Sequence, residues 1–568
     1  EMSERQNMAN KEASNNNTLT ETGNWNLSWQ WTNTATYTTK INEDHNINVV
    51  IGSEAIKRGI GRFMQGTRIG YIFEGDPNTW TLSNGSSSNI GNSSRYQNKV
   101  TMFGLFGRLD YNYKGKYLAT FTLRRDASSK FGSKNRWGNF PSVSVGWRMS
   151  DEDFMASTKK WLDDFKLRAG YGTTGNSNIG SYNYAFQYAT GNAYMYPITG
   201  SDSETSPGYS ISNLGDANAK WETTKMFNIG FDATALNNRL TAGFDFYVKK
   251  TSDLLVPANW SALAGNASKP SINIGDMKNR GIDLTIGWRD KVGEFGYNVT
   301  ANISRYKNEV TRLGSSDLFN STRLSKVNIT TVGQPVGMFY GYVVDGIYKS
   351  EDDVKSYGTL PYGVATQEDL DPSAWVGRYK LKDVNNDGKI DVNDRTIIGN
   401  PHPDLTGGVN IGLTWRDFDL STYMYFSIGN DLYKHYEYYT MFGNLQSNYA
   451  KDRLAKSWDP VSNPNGTYPM WATTSAEGAE AGNESNSNYV QDGSYLRMQT
   501  LTLGYTLPKK LLQKVGIEKV RFYGQISNVF TITGYDGLDP EVRSHASFEN
   551  EYVSSDLNKG IDYGSYGM

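Results

Sequence analysis

One stretch of this sequence has the residue types and spacing of coordination chemistry: Asp383-x-Asn385-x-Asp387-Gly388-Lys389-x-Asp391-x-x-Asp394. Oxygen ligands at positions 1, 3 and 5, a glycine at 6, a backbone carbonyl at 7 and carboxylates at 9 and 12 are what a flexible Ca²⁺ loop requires. Lys389 would supply the carbonyl. The last ligand is Asp and not Glu, which shortens its reach, and no long helix clearly precedes the loop. The other reading is an Asn/Asp/Gly-rich turn held by side-chain to backbone bonds, without metal. Structural Ca²⁺, a brace and not a catalyst, is the expectation.

A second group of candidates is aromatic. Tyr188, Tyr194, Tyr436, Tyr439 and Trp471 lie in amide-rich segments between apolar runs. A flat apolar face with a polar tip suits stacking on sugar rings or gripping peptides. An aromatic girdle at a membrane surface, or packing of a loop against a partner, are the alternatives. Other chemistry is sparse. There is no cysteine, hence no thiolate nucleophile or common structural zinc site. The four histidines, His45, His402, His435 and His545, are far apart in sequence and read as solvated loop or turn residues. No GxSxG elbow, phosphate loop or HExxH is present, so no enzyme activity is expected.

The elements that position these residues are β-strands. Among 568 residues, aromatics reach 13% while charged residues stop at 20%, and 58 are glycine, a composition that favours pleated sheet over helical bundles. The formal charge of -2 creates no field for nucleic acid. A mean hydropathy of -0.60, and no apolar run near ~18 residues, exclude membrane-spanning helices. They do not exclude a transmembrane barrel, whose strands need only alternate residues apolar. The opening EMSERQNMANKEASNNN has no basic start and apolar stretch, so no signal peptide is read.

Period-2 alternation runs from end to end. Phe165, Leu167, Ala169 and Tyr171 share one face while Lys166 and Arg168 share the other; Leu240, Ala242, Phe244, Phe246 and Val248 alternate with Thr241, Gly243, Asp245, Tyr247 and Lys249. Such runs predict fourteen strands, at 24–32, 45–54, 101–112, 116–126, 142–149, 163–173, 224–234, 238–249, 281–289, 294–306, 406–416, 417–428, 495–507 and 518–530. Short links at 113–115, 236–238, 291–293 and 416–417 take turns with long ones at 55–100, 174–223, 250–280, 307–405 and 429–494. Tight turns at one end and long loops at the other are the signature of an outer-membrane barrel. In these runs charge falls opposite the apolar stripe, so the polar face, including Asp245 and Asp283, lines a lumen and is not read as a glycosidase pair. The fold class is therefore all-β, a transmembrane antiparallel β-barrel. A sheet this long must close on itself in hydrocarbon, which fourteen strands do not obviously achieve alone.

Several long segments carry a resemblance. YLATFTLRRDASSKFGSKNRWGNFPSVSVGWRMSDEDFM (117–155), LRAGYGTTGNSNIG (167–180), NIGDMKNRGIDLTIGW (273–288), KDVNNDGKIDVNDRTIIGNPHPDLTGG (382–408) and YLRMQTLTLGYTLP (495–508) resemble, in order, the SusC/RagA family of TonB-dependent outer-membrane transporters of Bacteroidetes. That resemblance implies a barrel of about 22 strands closed by a plug. The chain, 1–568, is then the C-terminal portion of one such barrel, with N-terminal strands, plug and last strand missing, and 307–405 is a long extracellular loop containing the Ca²⁺-type loop at 383–394. The resemblance further implies energised import of an oligosaccharide or peptide, with a SusD-like surface lipoprotein on the external loops and TonB acting through the plug region. A passive outer-membrane porin and a surface β-sandwich adhesin are the rival readings.

Overall fold

The computed structural model describes residues 2–3, 17–71, 76–86, 90–197, 205–257, 267–314, 317–320, 324, 326–442, 449–470, 484–513, 516–542 and 561–562. Fourteen long strands follow one another: β1 (Thr18–Ile41), β2 (His45–Ile69), β3 (Val100–Tyr113), β4 (Tyr117–Ser128), β5 (Trp137–Arg148), β6 (Leu162–Asn176), β7 (Glu222–Ala235), β8 (Leu240–Pro257), β9 (Ser271–Val292), β10 (Phe295–Arg312), β11 (Leu405–Trp415), β12 (Phe418–Ile428), β13 (Tyr495–Thr506) and β14 (Arg521–Thr533). Each pairs antiparallel with the next, an unbroken meander. Among the described residues no ladder joins β1 to β14.

Alternation explains why these residues form these strands, and register turns it into two surfaces. Trp147, Leu167, Phe231, Phe244, Leu284 and Ile303 stand in one row across six strands, all on the same face. Phe227, Ile229, Ile282 and Ile286, on that face too, are exposed to the surroundings at 43%, 48%, 41% and 45%, exposure that only lipid makes favourable. The tight turns gather at one end. Asn42 and Glu43 take left-handed φ of 48° and 59° in the three-residue turn that closes β1 onto β2, the backbone region that tight hairpin turns use. Lys114 with Gly115 does the same between β3 and β4, and Arg416 between β11 and β12. An aromatic girdle rings this end: Tyr113 lies 6.2 Å from Tyr117, Tyr117 faces Trp147, and Trp415, Phe418 and Tyr505 follow at 6.5 and 4.7 Å. Aromatic rings at that level mark the membrane–water interface.

Several strands outrun the sequence expectation at the opposite end. The strand expected at 45–54 continues to Ile69, that at 238–249 to Pro257, and that expected at 281–289 starts at Ser271. The extra residues, such as Ala55 to Arg68, mix polar and apolar on both faces because they stand above the lipid. Period-2 patterning therefore fades while backbone pairing persists. The expected long loop at 307–405 accordingly begins after Arg312.

The two loops that follow β10 and β12 fold together. Tyr342 N–H donates to the Ser485 carbonyl at 2.9 Å, and Ser487 N–H returns to the Tyr342 carbonyl at 2.8 Å. Leu324, Val327 and Phe339 from the first loop share a core with Tyr433 and Tyr489 from the second; Phe339 lies 5.6 Å and Tyr489 5.2 Å from the Tyr433 ring. Arg395, nearly buried, pairs with Glu484 across the same junction. The product is one loop module, set on the strands that anchor both loops. Truncating Phe339 to Ala should cost about 3–5 kcal/mol of module stability. Limited proteolysis of the full-length protein should then cut within 313–404 faster than in the wild type, while the barrel keeps its heat-dependent gel migration; unchanged cleavage would contradict the shared core.

Candidate functional site

The face opposite the lipid carries the charge. Arg168 on β6 sits across from Gly230 on β7, and Gly230 sits across from Asp245 on β8. Because Gly230 has no side chain, the guanidinium reaches over it: Nη1 donates to Asp245 Oδ1 at 2.6 Å, Nη2 to Oδ2 at 2.7 Å, and Nε to Asp232 at 3.1 Å. A Cβ on Gly230 would stand 2.6 Å from Asp245 Oδ1. Lys166 meets Asp232 at 2.9 Å, and Asn228 donates to Asp245 at 2.9 Å. Next along the row, Asp283 accepts from Ser304.

The device recurs. Gly104 lies between Glu54 and Asp126, and Arg124 bridges them, at 2.5 Å to Glu54 and 2.8 Å to Asp126. Gly504 lies beside Asp419, which Arg521 reaches at 2.5 and 2.9 Å. Each glycine opens a gap through which an arginine spans a strand to its carboxylate. The wall is thus polar, with these arginines paired to carboxylates across it. Along it runs an open cleft of about 690 Å³ lined by Arg168, Asn228, Asp245, Tyr247, Asp283 and Tyr306. Paired charges and amides held in place suit a surface along which a polar solute moves without being trapped. Alternation alone placed Asp245 and Asp283 on this face; the glycine gaps were missed because they appear only once register is known.

The Asp/Asn loop closes on itself. Asp383 accepts the N–H groups of Asp387 and Gly388 at 3.2 and 2.8 Å, Asn385 Oδ1 accepts from Asp387 N–H at 3.0 Å, and Gly388 makes the sharp turn at φ 86°. Lys389 Nζ pairs with Asp391 at 3.1 Å. The backbone N–H of Asn393 holds the Asp391 carboxyl below the usual carboxylate range. Asp394 is fully buried and accepts from Val384 and Asp391 N–H groups at 2.9 and 2.8 Å, so ligation by it would exchange these bonds for a metal bond. Among the described residues no three His, Cys, Asp or Glu side chains gather as a metal cluster.

The aromatic candidates separate. Tyr188 is 66% exposed on a hairpin of Gln187–Pro197 with Thr205–Asn213. Tyr194 is on the same hairpin, its side chain outside the described residues, and Trp471 is outside them altogether. Tyr436 and Tyr439 are half-buried in the loop module, where Tyr439 packs 5.0 Å from Tyr438 and 5.7 Å from His435. The expectation of solvated histidines needs correction. His435 is buried, His402 Nε2 lies 2.7 Å from the Val336 carbonyl oxygen, and His45 Nδ1 is 2.7 Å from the Tyr111 hydroxyl; His545 lies outside the described residues. They are packing and hydrogen-bonding residues of loops and strand ends. Beside His435, burial pushes the Glu437 carboxyl above its ordinary range, an effect offset in part by Lys434 at 2.7 Å.

Comparison with known proteins agrees with this geometry. The family model described as TonB dependent receptor-like, beta-barrel, matches residues 3–529. TonB-dependent receptor P3 of Formosa agariphila is 34% identical over 484 residues, which cover 83% of this chain and 45% of that protein. TonB-dependent receptor SusC of Bacteroides thetaiotaomicron is 31% identical over 469 residues, 79% of this chain and 42% of that protein. The solved structure of the RagAB peptide transporter shares the fold, with a TM-score of 0.76 at 24% identity, over 99% of this chain and 56% of that one. The chain spans about half the length of the curated relatives it matches. With its lipid-facing apolar stripe, its polar wall and a family match across most of its length, the chain belongs to the TonB-dependent receptor-like β-barrels of the outer membrane and is similar to SusC.

Proposed function

We propose that the chain forms the C-terminal wall and loop module of an energised importer that takes up a bulky nutrient, an oligosaccharide or a peptide, across the outer membrane. The observation that carries this reading is the fixed, charge-balanced polar wall backed by a lipid-facing one: it guides a polar cargo without a net field that would select one sign of charge. The loop module offers a stable external platform on which a SusD-like lipoprotein can dock. Energy coupling belongs to a plug that TonB engages. The likenesses to SusC and to RagAB, itself a peptide transporter, support import. Uptake of a labelled oligosaccharide and a labelled peptide by cells carrying the full-length protein should separate this reading from a porin: collapse of the proton-motive force should abolish accumulation of the cargo, whereas unchanged entry would indicate passive flow.

In the same reading the Asp383–Asp394 loop holds Ca²⁺ through Asp383, Asn385, Asp387, the Lys389 carbonyl, Asp391 and Asp394, bracing the loop module. Ligand spacing and the glycine turn support it. Ca²⁺ should raise the melting temperature of the full-length protein, and Asp387→Ala should remove that rise; equal melting with Ca²⁺ and with chelator in the wild type would leave a metal-free turn.

The wall makes its own prediction. Gly230→Val fills the gap that Arg168 crosses and should lower unfolding stability by about 1–3 kcal/mol, since the pair is partly buried and its partners stay partly hydrated. Denaturant midpoints of the full-length protein check it, and an unchanged midpoint would contradict the gap.

A further inference from the structure

The lipid-facing surface of β7 to β10 changes character above its apolar band. Lys225, two residues beyond Phe227, faces Lys250; Lys250 faces Lys278. One row closer to the midplane Val248 faces Arg280 and Arg280 faces Lys307, and in the next Ile282 faces Arg305. The register between these rows is uninterrupted. Side chains two residues apart share a face, so all six basic groups stand on the same side as Phe227, Ile229 and Ile282. Adjacent strands are about 4.8 Å apart, which confines the six to a patch four strands wide and three rows tall. Glu309, across from Lys278, is the acid in that row.

None of the six forms an ion pair or a side-chain hydrogen bond with the described residues, although charges around them do. Arg168 and Lys166 are paired on the lumenal face, and Arg312 meets Asp276 at 2.7 Å beyond the patch. An unpaired basic group is strongly unfavourable at the midplane and nearly neutral at the interface. Eight residues of tilted strand separate Arg280 from Trp288 near the tight-turn end of β9, roughly 20 Å of height, which brings the long side chains to the headgroup level by snorkelling. Glu309 apart, their countercharge must come from outside the described residues. It must also come from within the membrane plane, because the roots of these side chains are continuous with the lipid-facing stripe.

We propose that this patch binds the phosphate groups of a phosphorylated lipid in the external leaflet, with the acyl chains lying on Phe227, Ile229 and Phe246. Phosphate matches the patch because guanidinium groups grip it bidentately and ammonium groups add point charge. A soluble acidic protein would have to enter the bilayer to reach the same atoms. The site does not depend on what passes through the lumen.

The test uses the full-length protein in neutral detergent and native mass spectrometry, with lipid A as probe beside its dephosphorylated form and inorganic phosphate. Lipid A should be retained, at least about tenfold more strongly than the dephosphorylated form, and more weakly as salt rises. Neutralising Lys225→Gln, Lys250→Gln and Arg280→Gln together should lower retention at least about tenfold. Lys249→Gln, one residue from Lys250 on the lumenal face, should leave it unchanged. Heat-dependent gel migration confirms folding, and the single Arg280→Gln, expected to lower retention about threefold to fivefold, replaces the triple variant if that fails to fold. Equal retention of the two lipid forms, equal retention by wild type and variant, an equal loss in Lys249→Gln, or displacement by millimolar inorganic phosphate would each overturn the proposal.

Discussion

A backbone in hydrocarbon must satisfy every N–H and C=O with itself. The rest of this structure depends on that constraint. It leaves the strands β1 to β14 hydrogen-bonded to their neighbours along an unbroken meander, and it leaves side chains as the variable by which one surface meets lipid and the other meets water. Alternation is the means: Phe244 and Asp245 are adjacent in sequence, yet one shares a row with Phe231 and Leu284 and the other with Arg168 and Asp283.

The polar surface brings its own difficulty. Charged groups on a crowded inner wall must be neutralised without filling the lumen, and side chains on adjacent strands collide when both are large. Glycine opposite the charges resolves this at three places, letting Arg124, Arg168 and Arg521 lie along the wall and reach carboxylates beyond their nearest neighbours. The wall is smooth and paired for the same reason that it is rich in glycine. Where no lumen is at stake, on the outer face of β7 to β10, six basic groups are left without such partners among the described residues.

Strand number, order and facing were legible in sequence because period-2 patterning records which residues touch lipid. The runs at 101–112 and 417–428 agree with their strands almost residue for residue. Patterning was silent where lipid stops: β2 continues to Ile69 through residues selected for neither face, and β8 to Pro257. The loop module was illegible for another reason. Phe339, Tyr433 and Tyr489 are far apart in the chain, and a Tyr that closes a core looks, in sequence, like a Tyr that awaits a ligand. His435 follows the same logic: its isolation in sequence suggested solvent, yet it is enclosed by aromatic rings from its own turn.

The sidedness of the strands can be read directly, because the chain has no cysteine and single cysteines can be introduced at neighbouring positions. Phe246→Cys and Tyr247→Cys, in full-length protein reconstituted in vesicles, should behave oppositely. A fluorophore at position 246 should be quenched by nitroxide-labelled lipid and slow to react with a charged maleimide, and the cysteine at 247 should react readily with the maleimide and escape lipid quenching. Lipid quenching at 247 together with water access at 246 would contradict a wall with its apolar face in the membrane and its charged face in the lumen.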